Sequence, residues 1–76
     1  MIAKIFGQRL RQLRTQKRLS QEGLAEASEL SLRYIQDLEA GVKQPTITTL
    51  CKLAMALHTT PHQLLGPAWT AWKAKR

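Results

Sequence analysis

Acidic residues, aromatics and cysteine are all scarce in this sequence, and each scarcity removes a class of protein. A single cysteine, Cys51, rules out an internal disulfide and with it the small secreted scaffolds that depend on such staples. The chain therefore reads as cytoplasmic. Its only aromatics, Phe6, Tyr34, Trp69 and Trp72, leave the core to aliphatic side chains and alanine, a composition suited to close helix packing. Valine occurs only at Val42 and no stretch alternates apolar with polar residues, so strands are not expected. No apolar run approaches the length of a membrane span, and residues 1–10, which include Lys4 and Arg9, lack the apolar stretch of a signal peptide. A chain of 76 residues buries about 60% of its unfolded surface, too little for a deep enclosed active site. No nucleophile with an adjacent base and no paired carboxylates stand out, so the protein is not expected to be an enzyme. Cys51, His58 and His62 are zinc-ligand types, but Thr59, Thr60 and Pro61 break any helix between the histidines and a fourth ligand is missing. Neither a metal nor a cofactor is expected.

What is plentiful is basic charge. Twelve Lys and Arg face five Asp and Glu, for a net charge of +7. Lys4, Arg9, Arg11, Arg14, Lys17 and Arg18 all precede the first acid, and Glu22, Glu26, Glu29, Asp37 and Glu39 form one central block. Basic charge segregated in this way on a small surface points to a polyanionic partner rather than to a merely soluble basic protein.

Apolar spacing and capping residues divide the chain into five helices. Ile2, Ile5, Phe6, Leu10 and Leu13 line one side of a first helix, in which Gly7 marks a close approach by a neighbour. Ser20 caps a second helix of about two turns, with Glu22 in its first turn. Ser31 caps a third over Leu32–Ala40, stopped by Gly41. Thr46 caps a fourth, along which Ile47, Leu50, Leu53, Ala54 and Leu57 recur at helical spacing. Thr60, Pro61 and Gln63 form a complete start signal for a fifth. Gly66 and Pro67 are expected to break that helix, leaving residues 1–66 as the domain and residues 67–76 as a basic tail. The fold class is all-α.

Two short helices joined by about three residues in a basic domain suggest a helix-turn-helix, whose second helix enters the major groove of DNA. At about 100° per residue, Leu32, Arg33, Gln36, Asp37 and Ala40 share one arc of the third helix, opposite Ser31, Tyr34, Ile35 and Leu38. On the outer arc Arg33 has the fork for guanine and Gln36 the donor and acceptor for adenine. Asp37 can accept from cytosine or instead orient Arg33, and Leu32 can touch a thymine methyl.

Residues 20–45 resemble the Cro/cI-type helix-turn-helix family, the XRE class. The resemblance is carried by Ser20, Gln21, Glu22, Leu24 and Ala25, then Ser31, Tyr34, Ile35, Leu38, Glu39, Gly41 and Pro45, and continues through Leu50, Leu53, Ala54 and Leu57. With Leu10, Leu13 and Arg14 it extends over roughly residues 6–65. It implies a compact five-helix, lambda-repressor-like fold and a sequence-specific transcriptional regulator, expected to be a repressor, that reads double-stranded DNA with residues 31–40. Within that resemblance Gln21 is a phosphate ligand and Arg14 pairs with Glu39. Ser31, Lys43, Gln44 and Thr46 grip the backbone beside the reading helix. Apart from the resemblance, the basic side chains of Lys17 and Arg18, like Arg9 and Arg11, are either flanking phosphate contacts or a solvated basic face. One departure stands out: Glu29 occupies the turn position the family gives to glycine, so that the turn is either strained or differently shaped.

Leu64, Leu65, Trp69 and Trp72 make an apolar edge that either covers the core near Ile2 and Phe6 or forms a dimer seam. A homodimer would read a pseudo-palindromic operator with half-sites about 34 Å apart. Lys73, Lys75 and Arg76 read as a solvated basic end. The alternative function is an antitoxin or restriction-modification controller that binds DNA and also a protein, a toxin or the polymerase.

Overall fold

The computed structural model describes residues 1–75, so that Arg76 of the basic end lies outside the described residues. Five helices follow one another: α1 (Ile2–Gln16), α2 (Gln21–Ser28), α3 (Leu32–Ala40), α4 (Ile47–Ala56) and α5 (Pro61–Ala74). No strand occurs among the described residues, and no helix there is long and apolar enough to cross a membrane.

Four of the helices begin where a hydroxyl is available. Ser20, Ser31, Thr46 and Thr60 each adopt an extended backbone and accept from the N–H three residues on, at 2.9, 3.0, 3.1 and 3.2 Å. Each cap stabilises its helix by about 1 kcal/mol. Their inner faces close on a core in which Leu10, Leu24, Ile35, Leu38, Leu53, Leu57 and Leu64 are fully buried beside Phe6. The central element is α1, which lies against both α3 and α5, and α2 bridges α3 and α4.

Two glycines set how closely α1 and α3 meet. A β-carbon at Gly7 would overlap the Leu38 carbonyl oxygen and reach within 2.7 Å of that of Glu39. The contact there is backbone on backbone, the close approach expected from the sequence. At the end of α3, Gly41 has φ of 77°, and a β-carbon on it would lie 2.8 Å from Lys4 Cα. Left-handed geometry and lack of space both demand glycine.

The expected break at Gly66 and Pro67 does not occur, and α5 continues to Ala74. Pro67 has no N–H to give the Gln63 carbonyl one turn back. Arg9 supplies the missing donor from α1: its Nε lies 3.0 Å from that oxygen. Its Nη2 reaches Gln63 Oε1 at 3.3 Å and its Nη1 reaches Gln12 Oε1 at 2.8 Å. Arg9, expected as a flanking phosphate contact, thus has every guanidinium nitrogen engaged within the fold.

The continued helix also sorts the apolar edge. Leu64 is in the core, not in a surface seam, because it shares a face with Ala68 one turn on, and both are buried. Leu65, Trp69 and Trp72 lie further round the helix and are 38%, 59% and 49% exposed. With Ile2 and Ala68 they line a shallow apolar groove, and Lys73 Nζ stands 5.8 Å from the Trp69 ring centre.

Candidate nucleic-acid interface

The turn between α2 and α3 keeps its left-handed geometry despite the side chain of Glu29. Glu29 has φ 60° and ψ 35°. Its N–H donates to Glu26 O at 3.3 Å, and that of Leu30 donates to Ala25 O at 3.0 Å. This closes the end of α2 and tucks Leu30 against the core. A residue with a β-carbon here costs about 1 kcal/mol relative to glycine, so the turn is strained, not reshaped.

On α3, Ile35 and Leu38 point inward, while Arg33 and Gln36 stand exposed on the opposite side. Leu32, expected on the open arc, is partly buried against the core, because the first turn of α3 leans onto the body of the protein. Asp37 is also withdrawn. Its side chain is 13% exposed, with Oδ1 3.2 Å from Arg33 Nε and Oδ2 3.4 Å from Lys43 Nζ. Its carbonyl accepts from Val42 and Lys43 at 2.9 and 3.4 Å, which pins the following loop to α3.

The far end of α3 is anchored by a buried polar knot. Arg14 Nε lies 2.6 Å from Glu39 Oε2, and Arg14 Nη2 lies 3.1 Å from Oε1. Arg14 Nη1 donates to Leu19 O at 2.8 Å, and Gln21 Nε2 donates to Glu39 Oε1 at 3.1 Å. The ends of α1 and α3 and the start of α2 are thereby held at one junction. Gln21 sits partly buried at the first position of α2, with its amide nitrogen committed to Glu39. Lys17 and Arg18 are exposed at the neighbouring end of α1.

Beyond the loop, Thr46 Oγ1 both caps α4 and donates to Thr49 Oγ1 at 2.9 Å, and Tyr34 Oη lies 3.2 Å from the same Thr49 oxygen. This hydroxyl chain ties the start of α4 to α3. Thr49 belongs to none of the motifs named from the sequence. The signal was there in Tyr34, a core-side phenol that needs a hydrogen-bond partner when buried, and in a threonine three residues after a threonine cap. Ser31, Lys43, Gln44 and Thr46 all remain exposed along this side of the motif, although Ser31 and Thr46 also serve as caps.

Two short helices, a tight left-handed turn and an outward polar face on the second helix constitute a helix-turn-helix. The sequence model of the helix-turn-helix family matches residues 10–64, from α1 into α5. The chain belongs to the Cro/cI-type helix-turn-helix family of DNA-binding transcriptional regulators. Similar proteins include control protein C.BamHI of Bacillus amyloliquefaciens, 39% identical over 80% of this chain and 76% of that protein. The uncharacterized HTH-type transcriptional regulator y4dJ of Sinorhizobium fredii is 38% identical over 84% of this chain and 83% of its own length. Among solved structures, the restriction-modification controller protein C.AhdI from Aeromonas hydrophila superposes with a TM-score of 0.80 at 45% identity, covering 82% of this chain and 94% of that one. In this helix-turn-helix protein α2 and α3 are the two helices of the motif.

Proposed function

We propose that this chain is a cytoplasmic, homodimeric repressor that lays α3 in the major groove of a pseudo-palindromic operator. One observation carries the reading: α3 is divided between a buried face, Ile35 and Leu38, and an exposed face bearing Arg33 and Gln36. In this reading Arg33 addresses guanine and Gln36 adenine, and the exposed remainder of Leu32 meets a thymine methyl. Lys43, Gln44, Ser31 and the backbone N–H of Thr46, whose hydroxyl proton is given to Thr49, grip phosphates on one side of α3. Gln21, Lys17 and Arg18 do so from the other, with backbone N–H groups at the start of α2 adding to the grip. Leu65, Trp69 and Trp72 supply the two-fold seam. Their exposed apolar stripe on α5 supports that role, since such a stripe is stabilised when covered.

Selection of bound sequences from a random duplex library tests the reading. Recovered sites should be two-fold symmetric, with half-site centres about 34 Å apart. Arg33→Ala and Gln36→Ala should each relax preference at a different base pair by roughly 1–3 kcal/mol. Unchanged preference in both variants would refute the assigned face, and monomers at every concentration, with and without DNA, would refute the seam. A second reading, a restriction-modification controller, is favoured by the similarity to C.AhdI and C.BamHI. Its check is whether the adjacent reading frames encode a restriction endonuclease and a methyltransferase.

A further inference from the structure

Resting on the reading that α3 faces the bases, we propose that Asp37 is a positioning residue that fixes which edge of the Arg33 guanidinium is offered to DNA and couples it to Lys43. The three side chains differ sharply in exposure: 13% for Asp37, against 82% for Arg33 and 57% for Lys43. The acid is therefore the anchored member and the two cations are the solvent-facing ones. Its carbonyl, bonded to the Val42 and Lys43 N–H groups, adds a second anchor.

The atoms used matter. Oδ1 takes Arg33 Nε, and Oδ2 takes Lys43 Nζ. With Nε occupied, the part of the guanidinium left to point outward is the Nη1 and Nη2 end, and two adjacent N–H groups are what a bidentate contact with guanine O6 and N7 requires. In free solution a pair with so exposed an arginine is weak and screened. A duplex closing over it displaces water and strengthens it, because the local dielectric falls. The same closure brings Lys43 to the backbone from the other carboxylate oxygen, so a base contact and a phosphate contact hang from one fixed group. Two cations on one carboxylate also offset the repulsion that a lone acid on this face would exert on phosphates.

The test uses the full chain, the duplex recovered by library selection, single base-pair variants of that duplex, and an unrelated duplex. Asp37→Asn is expected to lose about ten-fold in preference at the base pair whose preference Arg33→Ala also alters, while binding the unrelated duplex at least as tightly as the parent. In an Arg33→Ala background the Asp37 substitution should leave every preference unchanged, an outcome a purely structural role does not give. Asp37→Glu keeps the charge but shifts the carboxylate by one methylene. It should lower the same preference without changing affinity for the unrelated duplex, and it carries the test if Asp37→Asn melts below the assay temperature. Altered preference at a base pair insensitive to Arg33→Ala would make Asp37 a direct reader and overturn the proposal. An equal gain on all duplexes would also overturn it, since Asp37 would then only repel DNA. If Arg33→Ala itself changes no preference, the reading of α3 fails and takes the proposal with it. If Arg33→Ala does change a preference and neither Asp37 variant affects it, the positioning role alone is refuted.

Discussion

Glu39→Ala is expected to cost this protein a large part of its stability, although it removes one side chain from the last turn of a nine-residue helix. The Glu39 side chain is 4% exposed and accepts three hydrogen bonds, two from Arg14 and one from Gln21. Arg14, with its side chain 10% exposed, would be left with the Leu19 carbonyl as its remaining partner. Stranding a buried charge in this way costs about 3–5 kcal/mol. A domain of this length has a total stability on the order of 4–11 kcal/mol. At about 4 °C or more per kcal/mol for so small a chain, the melting temperature should fall by roughly 12 °C or more in circular-dichroism melts, with a matching loss in urea titrations. The double variant Arg14→Met with Glu39→Leu should recover to within about 2 kcal/mol of the parent, because no charge is then stranded and the Leu19 carbonyl, which loses its Arg14 donor, costs only about 1 kcal/mol. Gln21 is only partly buried and can turn its amide to water. A loss below about 1 kcal/mol for Glu39→Ala, or a double variant no more stable than the single one, would refute the reasoning.

Two further outcomes test features of the backbone. Arg9→Ala should cost about 1 kcal/mol while Pro67 is present, because the Gln63 carbonyl loses its donor. It should cost less than half of that in a Pro67→Ala background, where residue 67 donates instead, and equal losses in both backgrounds would show that the capping contact is irrelevant. Glu29→Gly should stabilise the protein by up to about 1 kcal/mol, the relief of left-handed strain being partly offset by the greater freedom of glycine in the unfolded chain. A lower melting temperature for that variant would mean that the Glu29 side chain contributes something the strain argument omits.

Features governed by near neighbours could be read directly from the order of residues. The four hydroxyl caps, the start of α3 at Leu32 and its end before Gly41 are local decisions of three or four residues, and each appears where its signal stands. The close approach at Gly7 was also legible, because a glycine in a good helix pattern needs a reason. Features that depend on partners far along the chain were not. Pro67 stops a helix on any local argument, and it is carried through by Arg9, which bonds the carbonyl of Gln63, 54 positions along the chain from it. Leu64 looked like part of an apolar edge until α5 continued and fixed which side it faces. The double pairing of Asp37 depends on the loop folding back to bring Lys43 beside it, a geometry no periodicity encodes.

Because α1 rests at Gly7 directly on the Leu38 and Glu39 carbonyls, the closest contact that seats α3 on the body of the protein is main chain on main chain. Substitutions at positions 33 and 36 leave that seat untouched. On the proposed reading, exchanging a few outward side chains would change the operator without re-solving the packing. Gly7, far from any outward side chain of α3, is then the residue that fixes how near that helix stands to the body of the protein.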